Sequence, residues 1–257
     1  MPEFRILRWS NVVWIIRNRA WNWYYLVRYW RFLKLKIFGP SGVQCLGFVF
    51  LGKNVELSCR KGYGRIVIYP WVHLGDGNQI RAHEGTVTIG AKTVFGQGNT
   101  INAYLDIAIG SECVISDSVY MCDFDHRTDS TQIAIRRQGI VKSPVVIGDD
   151  VWIGTKVSIL RGTQIGSGSV VGANSVVKGE IPHWGIAVGV PARVIRLRSE
   201  PRPSDLERVR HEHSVRDRTE RALHQVALHQ IEVEQVAVEQ VEAEQVEAEQ
   251  VPDEDLG

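Results

Sequence analysis

The sequence predicts an all-β solenoid, in which short parallel strands wind into coils between two dissimilar ends. One observation is a glycine that directly follows several aliphatic residues spaced by six, at Gly148, Gly154, Gly166 and Gly172. A repeat of six residues can bury its apolar face only against the next repeat, so a fixed short period is typical of a solenoid. The other observation is the period itself, which places aliphatic residues at Ile147, Ile153, Ile159, Ile165, Val171 and Val177.

Each hexad is interpreted as one short strand and one corner. In extended backbone the residue two positions before an aliphatic residue points the same way, into the interior. The glycine after the aliphatic residue suits a tight corner with positive φ. An antiparallel sheet would need hairpin turns such as Asn-Gly, and none occurs between residues 146 and 182. Five of the six interior partners are small or short, and the full set is Val151, Val157, Thr163, Ser169, Ser175 and Ile181.

The same period runs upstream in three triplets, which predicts coils with three faces. The step from Ile109 to Ile147 is 38 residues, whereas one coil takes about 18. We therefore expect an extruded loop within residues 122–145, and long loops on rigid repeats often carry function. The triplets, with a residue that opens an earlier coil, are Ile68, Leu74 and Ile80; Ile89, Phe95 and Ile101; Ile109, Ile115 and Met121; and Leu51.

Two motifs in this pattern resemble the hexapeptide-repeat acyltransferases. They are Ile-Gly-Asp-Asp-Val-Trp-Ile-Gly over residues 147–154 and Gly-Val-Pro-Ala-Arg over residues 189–193. The resemblance covers residues 48–196 and implies a left-handed parallel β-helix, acetyl-CoA as acyl donor, and a homotrimer with clefts between subunits. Galactoside, maltose and capsule or colanic-acid O-acetyltransferases are similar, so the resemblance implies a sugar or glycolipid acceptor.

The extruded loop contains one histidine, and the resemblance implies that His126 is the general base. An imidazole ordinarily titrates near pH ~6.5, which suits removal of a hydroxyl proton at neutral pH. A histidine base usually has a second group that fixes its tautomer. Asp129 is our choice for this role, although Asp123, Asp125 and a backbone carbonyl are open alternatives.

The resemblance also implies residues for acceptor and donor. Asn102 matches an asparagine that contacts the acceptor. Trp152 is expected to form a wall of the acetyl-CoA cleft, unless it packs against a neighbouring chain instead. The backbone amides of Gly154 and Thr155 match the place that receives the thioester carbonyl, as oriented N–H donors suit a developing oxyanion. Ala173 matches a position along the pantetheine.

Basic residues near the end of the solenoid are expected to meet the CoA phosphates. Arg193 and Arg196 match phosphate-contacting positions of the resembled family. Lys178 is a weaker match, because it lies one residue earlier than the family lysine, and a shift of one residue turns an extended side chain to the other face.

The first forty residues are basic and aromatic. They hold five of the eight Trp residues and eight Arg or Lys against Glu3 alone. Their longest uncharged stretches reach eight residues, well short of the ~20 that a spanning helix needs. Two interpretations are open, and they do not exclude each other. The segment caps the first coil, or it lies as a peripheral element in the bilayer interface. We divide the chain into an N-terminal helical segment (1–45), a β-helix acyltransferase domain (46–197) and a charged extension (198–257).

The C-terminal extension is of low complexity, helical or disordered. Ser204 to Glu207 has capping-box spacing for a helix, and ten acidic residues follow from position 231 without a base. Successive Val or Ile residues five apart step around a helix and form no stripe. His211 and His213 have no cysteine partner, so we expect no metal site.

Charge distribution and cysteine content limit the classes of function that the sequence allows. The 257-residue chain has a formal net charge of +1, and its basic clusters lie at the ends without a binding motif, so we expect no nucleic acid. Four cysteines without paired spacing favour a cytoplasmic protein, free or peripheral at the inner face of the membrane. A carbonic anhydrase on this solenoid would need three histidine ligands. Only His126 lies near the loop, so we do not favour this class. An N-acyltransferase acting on an amino-sugar and a non-catalytic scaffold are the alternatives to an O-acetyltransferase.

Overall fold

The structure is a computed structural model that describes residues 23–198. It contains one α-helix, α1 (Trp23–Phe38), followed by a parallel β-helix of three sheets. The expectations for residues 1–22, the Ser204 to Glu207 helix start, the histidine pair at 211 and 213 and the repetitive extension lie outside the described residues.

The solenoid wall consists of three sheets, which we call A, B and C. Sheet A contains β1 (Val43–Cys45), β4 (Arg65–Ile68), β7 (Thr86–Ile89), β10 (Asp106–Ile109), β15 (Val145–Ile147), β18 (Gln164–Ile165) and β21 (Glu180–Ile181). Sheet B contains β2 (Val49–Leu51), β5 (Val72–Leu74), β8 (Val94–Phe95), β11 (Val114–Ile115), β16 (Trp152–Ile153), β19 (Val170–Val171), β22 (Gly185–Gly189) and β23 (Ala192–Leu197). Sheet C contains β3 (Glu56–Cys59), β6 (Gln79–Ala82), β9 (Thr100–Ala103), β12 (Tyr120–Cys122), β17 (Ser158–Ile159) and β20 (Val176–Val177).

The chain passes from sheet A to B to C and back to A once per coil. The corner between sheets B and C is called the BC corner below, and the corner between C and A the CA corner. Neighbouring coils pair in parallel, and the antiparallel exceptions are β23 on β22 and a hairpin of β13 (Phe124–His126) and β14 (Ile140–Lys142). The hairpin leaves the wall at a CA corner, between β12 and β15.

The aliphatic residues stack in register from coil to coil, as the period predicted. In sheet A, for example, Ile68 pairs with Ile89, and Ile109 with Ile147. These residues are almost completely buried. The interior is therefore a continuous apolar column, and it positions each corner at a repeatable place on the surface.

The register of the last hexad differs from the prediction. Ile181 pairs with Ile165, sixteen residues earlier, and Ala187 likewise pairs with Val171. Ile181 therefore occupies the large aliphatic position of sheet A, and its predicted place among the smaller partners was wrong. The final coil is two residues shorter than the six-residue period requires.

The role predicted for the corner glycines was also wrong. Positive φ occurs two residues later, for instance at Lys156 (φ 56°) and Asn174 (φ 58°). The glycine itself is needed for close approach between coils: a Cβ on Gly154 would lie 2.6 Å from Ala173 N. Stacked strands only ~4.8 Å apart leave no room for a side chain at this point.

Helix α1 packs across the first coil. Phe32 is 4% exposed, and its ring centroid lies 4.9 Å from that of Phe48. Tyr29 and Tyr25 make edge contacts with Phe48 at 5.0 Å and Phe50 at 5.8 Å. This aromatic face covers β2, as expected of a cap. Over residues 23–198, no helix is both long and apolar enough to cross a membrane.

Candidate active site

The loop at the CA corner, residues 123–144, folds as a small hairpin that carries His126. In the β13–β14 ladder His126 pairs with Ile140 and Asp125 with Val141. His126 is the last residue of β13, and its side chain is exposed. The turn of the loop contains a short 3-10 helix (Ile135–Arg137). The Gln138 amide crosses the loop, because its Nε2 donates to Ser130 O at 2.8 Å.

A buried carboxylate fixes the base of the loop. Asp123 is fully buried, and it accepts hydrogen bonds from the N–H groups of Tyr104 (2.8 Å) and Leu105 (2.7 Å) in the preceding coil. Its carbonyl accepts from Ser143 N at 2.9 Å, which joins the two ends of the loop. Burial raises the pKa of Asp123, and the two backbone N–H groups oppose that rise.

Two ion pairs tie the hairpin to neighbouring coils. Asp125 pairs with Arg161 at the CA corner of the following coil. Lys142 pairs with Glu84 at the CA corner two coils earlier, and this contact lowers the pKa of Glu84. The orientation of β13, and hence of His126, therefore depends on contacts that neither hexad periodicity nor local motifs revealed.

The structure does not bring a carboxylate to His126. The Asp129 carboxylate lies 3.3 Å from Arg127 Nη1, Asp125 pairs with Arg161, and Asp123 is engaged by backbone N–H groups. Over residues 23–198 the imidazole has no described hydrogen-bond acceptor. The choice of Asp129 as the orienting group is thus not reproduced by the geometry of this single chain.

A column of aromatic rings leads from His126 along successive CA corners, and the sequence pattern did not reveal it. The ring centroids of Phe124 and His126 lie 6.3 Å apart, and those of Tyr104 and Phe124 lie 4.6 Å apart. His83 stacks on Tyr104 at 4.7 Å. The rings are partly accessible, so the column forms an aromatic floor beside the histidine. We call these four residues the aromatic column.

Asn102 and Tyr120 lie next to the loop on sheet C. Asn102 pairs in register with Cys122. Burial raises the pKa of Tyr120, and a hydrogen bond with the Asn102 side chain opposes that rise. Cys122 is buried, and burial raises the pKa of its thiol. A buried thiol is not a ready nucleophile.

The predicted thioester site forms a second group, at the BC corner. Gly154 N–H donates to Val171 O at 2.8 Å, so this amide is already used in the coil ladder. The expectation that Gly154 offers a free donor is corrected accordingly. Thr155 accepts from Asn174 N at 2.9 Å and donates from Oγ1 to Asp117 O at 2.8 Å, but its own N–H has no acceptor among the described residues. Ala173 lies against Gly154.

The other residues predicted to bind acetyl-CoA lie on sheet B, except Lys178, which lies at a CA corner. Trp152 is 53% exposed, and its Nε1 donates to Ser116 Oγ at 3.3 Å. Arg193 and Arg196 are exposed on β23. Lys178 is exposed at a CA corner, on the same side as the loop rather than with Thr155.

The loop group and the Thr155 group are separated by sheet C. Within one coil the chain runs from Thr155 through β17 to Arg161, which contacts the hairpin. Residues 155–161 therefore cross from the BC corner to the CA corner, along the whole length of the sheet C strand. In one chain, the imidazole and the unused amide therefore lie on opposite sides of this sheet.

Comparison with known proteins places the chain in a family. Residues 144–179 match the model for bacterial transferase hexapeptide, six repeats. A Mycobacterium tuberculosis protein provisionally named an acetyltransferase is 48% identical over 196 residues, with 76% of this chain and 65% of that protein covered. Two Escherichia coli proteins are provisionally named lipopolysaccharide biosynthesis O-acetyl transferase WbbJ and colanic acid biosynthesis acetyltransferase WcaF. They are 35% and 31% identical, covering 58% and 73% of this chain and 88% and 86% of theirs.

Solved structures agree with this fold. A mutant form of the N-acyltransferase AntD from Bacillus cereus, in complex with dTDP and coenzyme A, superposes with a TM-score of 0.55 at 24% identity. The match covers 72% of this chain and 95% of that one. The chain spans about two thirds of the mycobacterial relative but most of both Escherichia coli relatives. The protein is an acyltransferase and belongs to the hexapeptide-repeat acetyltransferase family.

Proposed function

We propose that this enzyme transfers an acetyl group from acetyl-CoA to a hydroxyl of a sugar, glycolipid or polysaccharide precursor. The observation that carries the proposal is the position of His126, an exposed imidazole on an ordered hairpin that interrupts the solenoid at the end of an aromatic column. The names of the lipopolysaccharide and colanic-acid relatives support a sugar-related acceptor.

His126 acts as a general base in direct transfer. Its neutral imidazole takes the acceptor hydroxyl proton while the hydroxyl oxygen bonds to the thioester carbonyl carbon. The resulting tetrahedral intermediate collapses, the carbon–sulfur bond breaks, and the CoA thiolate receives the proton from the imidazolium. No covalent acyl-enzyme is needed, which agrees with the burial of Cys122.

The Thr155 N–H stabilises the developing oxyanion. It is an oriented backbone donor without an acceptor among the described residues, whereas the neighbouring Gly154 N–H is occupied by Val171 O. A preorganised donor of this kind is worth ~3–4 kcal/mol of transition-state stabilisation in enzymes of known mechanism. Ala173, which packs on Gly154, lines the pantetheine path.

The complete site is assigned to the junction between two subunits of a homotrimer. Sheet C separates His126 from Thr155 within one chain, so a second chain is needed to bring a Thr155 corner to a His126 loop. Trp152, exposed on sheet B, is placed as a wall of that cleft. Arg193 and Arg196 bind the CoA phosphates, and Lys178 adds positive charge at the CA corner, on the loop side of the cleft.

The acceptor is placed on the aromatic column. The four rings, of which His83 and Tyr104 are stacked on each other, are partly exposed and offer an apolar surface to the C–H groups of a sugar ring. Lys142, whose Nζ lies 5.6 Å from the Tyr104 ring centroid, is ion-paired with Glu84, and the pair offers polar contacts for hydroxyl groups. Asn102, on the adjoining face of sheet C, orients the attacking hydroxyl. The tautomer of His126 is set by Asp129 or a carbonyl once the cleft is assembled.

The test is release of CoA from acetyl-CoA in the presence of sugars, polyols and amino-sugars. His126→Ala is compared with wild type and with His183→Ala, a matched control because His183 is also exposed and lies outside the site. We expect acceptor-dependent release that falls ~10²–10⁴-fold in His126→Ala, with CoA binding retained and His183→Ala unchanged.

Three other outcomes would contradict the proposal in different ways. Full turnover in His126→Ala would exclude the histidine as base. An amide product formed only with amino-sugars would identify an N-acyltransferase. Absence of CoA binding in the wild type would favour the non-catalytic scaffold.

A further inference from the structure

The face of α1 that points away from the coil is an apolar stripe. Its members recur at spacings of three and four residues, which places them on one side of a helix. They are much more exposed than Phe32 on the capping face. These residues, called the outer stripe, are Trp23, Leu26, Trp30, Leu33 and Ile37, with exposed fractions of 79, 42, 67, 46 and 62%.

The same helix is strongly basic. It contains four Arg or Lys residues and no Asp or Glu. Arg31 Nη1 donates to Leu51 O at 3.3 Å and Lys36 Nζ to Cys45 O at 3.1 Å, which holds the helix on the first coil. Lys34 is exposed, and its position in the sequence places it beside the outer stripe.

The amino-acid sequence before α1 continues this character. Residues 1–22 contain three more Trp residues and four Arg residues against one acidic residue, Glu3. Exposed Trp residues combined with excess positive charge are typical of segments that lie at the bilayer interface, where Trp sits at headgroup level and Lys and Arg meet anionic lipid.

We propose that the outer stripe of α1 docks on an anionic membrane surface, with the helix lying in the plane of the headgroups. The capping face would stay on β2 while the opposite face inserts its Trp and Leu side chains. This mode needs no spanning segment.

The positive charge of α1 favours an anionic lipid surface over other partners for the outer stripe. A second copy docked through the same stripe would bring two basic helices together without a single carboxylate on either, and like charges in contact are unfavourable. Residues 1–22 carry the same sign of charge. An anionic lipid surface complements both the apolar and the basic character of the helix.

The test is co-sedimentation of the full-length chain with phosphatidylcholine vesicles, with and without phosphatidylglycerol. We expect binding only to the anionic vesicles, and weakening as salt rises, because exposed charges are screened. Trp30→Ala with Leu33→Ala should lower the partition coefficient at least about tenfold, and Lys34→Gln about fivefold.

The matched control is Trp184→Ala, which removes a 51% exposed Trp at the far end of the solenoid and should leave vesicle binding unchanged. Acetyl transfer to a water-soluble acceptor should be the same in all these variants, so failure here is distinct from failure of the proposed reaction. A wild-type chain that stays in the supernatant at low salt would overturn the proposal. Wild-type-like vesicle binding of the Trp30 and Leu33 double variant, or its altered oligomeric mass in sedimentation, would do the same.

Discussion

The coils and the extruded loop are stabilised by different forces. In the coils the interior is lined by residues such as Leu74 and Ile153 that are at most 1% exposed, and each strand is hydrogen-bonded to its neighbours. In the loop, Asp123 is the buried residue at the base, and no residue from 124 to 144 is buried. The loop is held instead by ion pairs and side-chain hydrogen bonds.

This difference assigns most of the stability to the coils and the proposed catalytic residue to the loop. The coils keep their interior side chains in register because every interior position must match the coils above and below it. The loop is free of that requirement, so it accommodates His126 and the charged residues that orient it. We therefore expect substitutions in the coils to change the free energy of unfolding, and substitutions in the loop to change mainly the turnover rate.

The strongest test on the coil side is Leu74→Ala. Leu74 is 1% exposed and stacks between Leu51 and Phe95, so its removal should lower the free energy of unfolding by ~2–5 kcal/mol. Val94→Ala, on the same sheet but 41% exposed, is the control and should cost less than ~1 kcal/mol. Urea titration measures both. Loss of kcat in the folded Leu74→Ala enzyme would break the proposed separation.

Asp123→Asn tests the junction of the two regions. An asparagine side chain has one acceptor oxygen, so it can accept a hydrogen bond from only one of the two backbone N–H groups that are bonded to the carboxylate. The other N–H group would face the amide NH2. We expect a loss of ~1–3 kcal/mol in unfolding free energy, together with a lower kcat because the base of the hairpin shifts. Glu180→Gln, at an exposed carboxylate without a hydrogen-bond partner among the described residues, provides the comparison. Equal stability of the two variants would show that burial of Asp123 contributes nothing.

The same carboxylate gives a pH dependence of known sign. Burial raises the pKa of Asp123 in the folded chain, so the folded state binds this proton more tightly than the unfolded state. Its contribution to stability therefore falls as pH rises from about 4, the ordinary carboxyl value, through the raised pKa. Asp123→Asn should lack this slope in urea titrations repeated across that range. A slope identical to wild type would assign it to other groups.

The smallest expected effect on stability comes from the Asp125–Arg161 pair. Both side chains are partly exposed, at 44% and 28%, so a double-mutant cycle with Asp125→Asn and Arg161→Gln should give a coupling energy of ~0.2–1 kcal/mol in stability. Turnover should fall about tenfold or more, because a small displacement of a catalytic group is costly. Unchanged turnover would mean that the pair does not orient His126.

Much of the fold could be predicted because its cause is local and repeated. Positions such as Ile89 and Ile109 are readable from spacing alone, and they pair as expected. The corner glycines were misread, since a glycine needed for close approach and one needed for positive φ look the same in a sequence. The register of Ile181 was missed because a single shortened hexad leaves the period on either side intact.

The site was less accessible to sequence reasoning. His126 could be selected by its place in the loop and by resemblance, but the partners of its neighbouring carboxylates could not. Arg161 lies 36 residues from Asp125, and Glu84 lies 58 residues from Lys142. Such pairs arise only when coils stack, and exposed charges are compatible with many partners in a sequence.

A stack of similar coils has no intrinsic length, because each terminal strand leaves an edge on which another strand can add. In sheet B the chain reverses after β22, and β23 pairs with it in the antiparallel sense, with an irregular register near Ile186. At the opposite end α1 lies across β2. The two ends of sheet B are thus terminated by unlike elements, so within residues 23–198 this sheet has a defined length and offers no open edge at β22 for another coil.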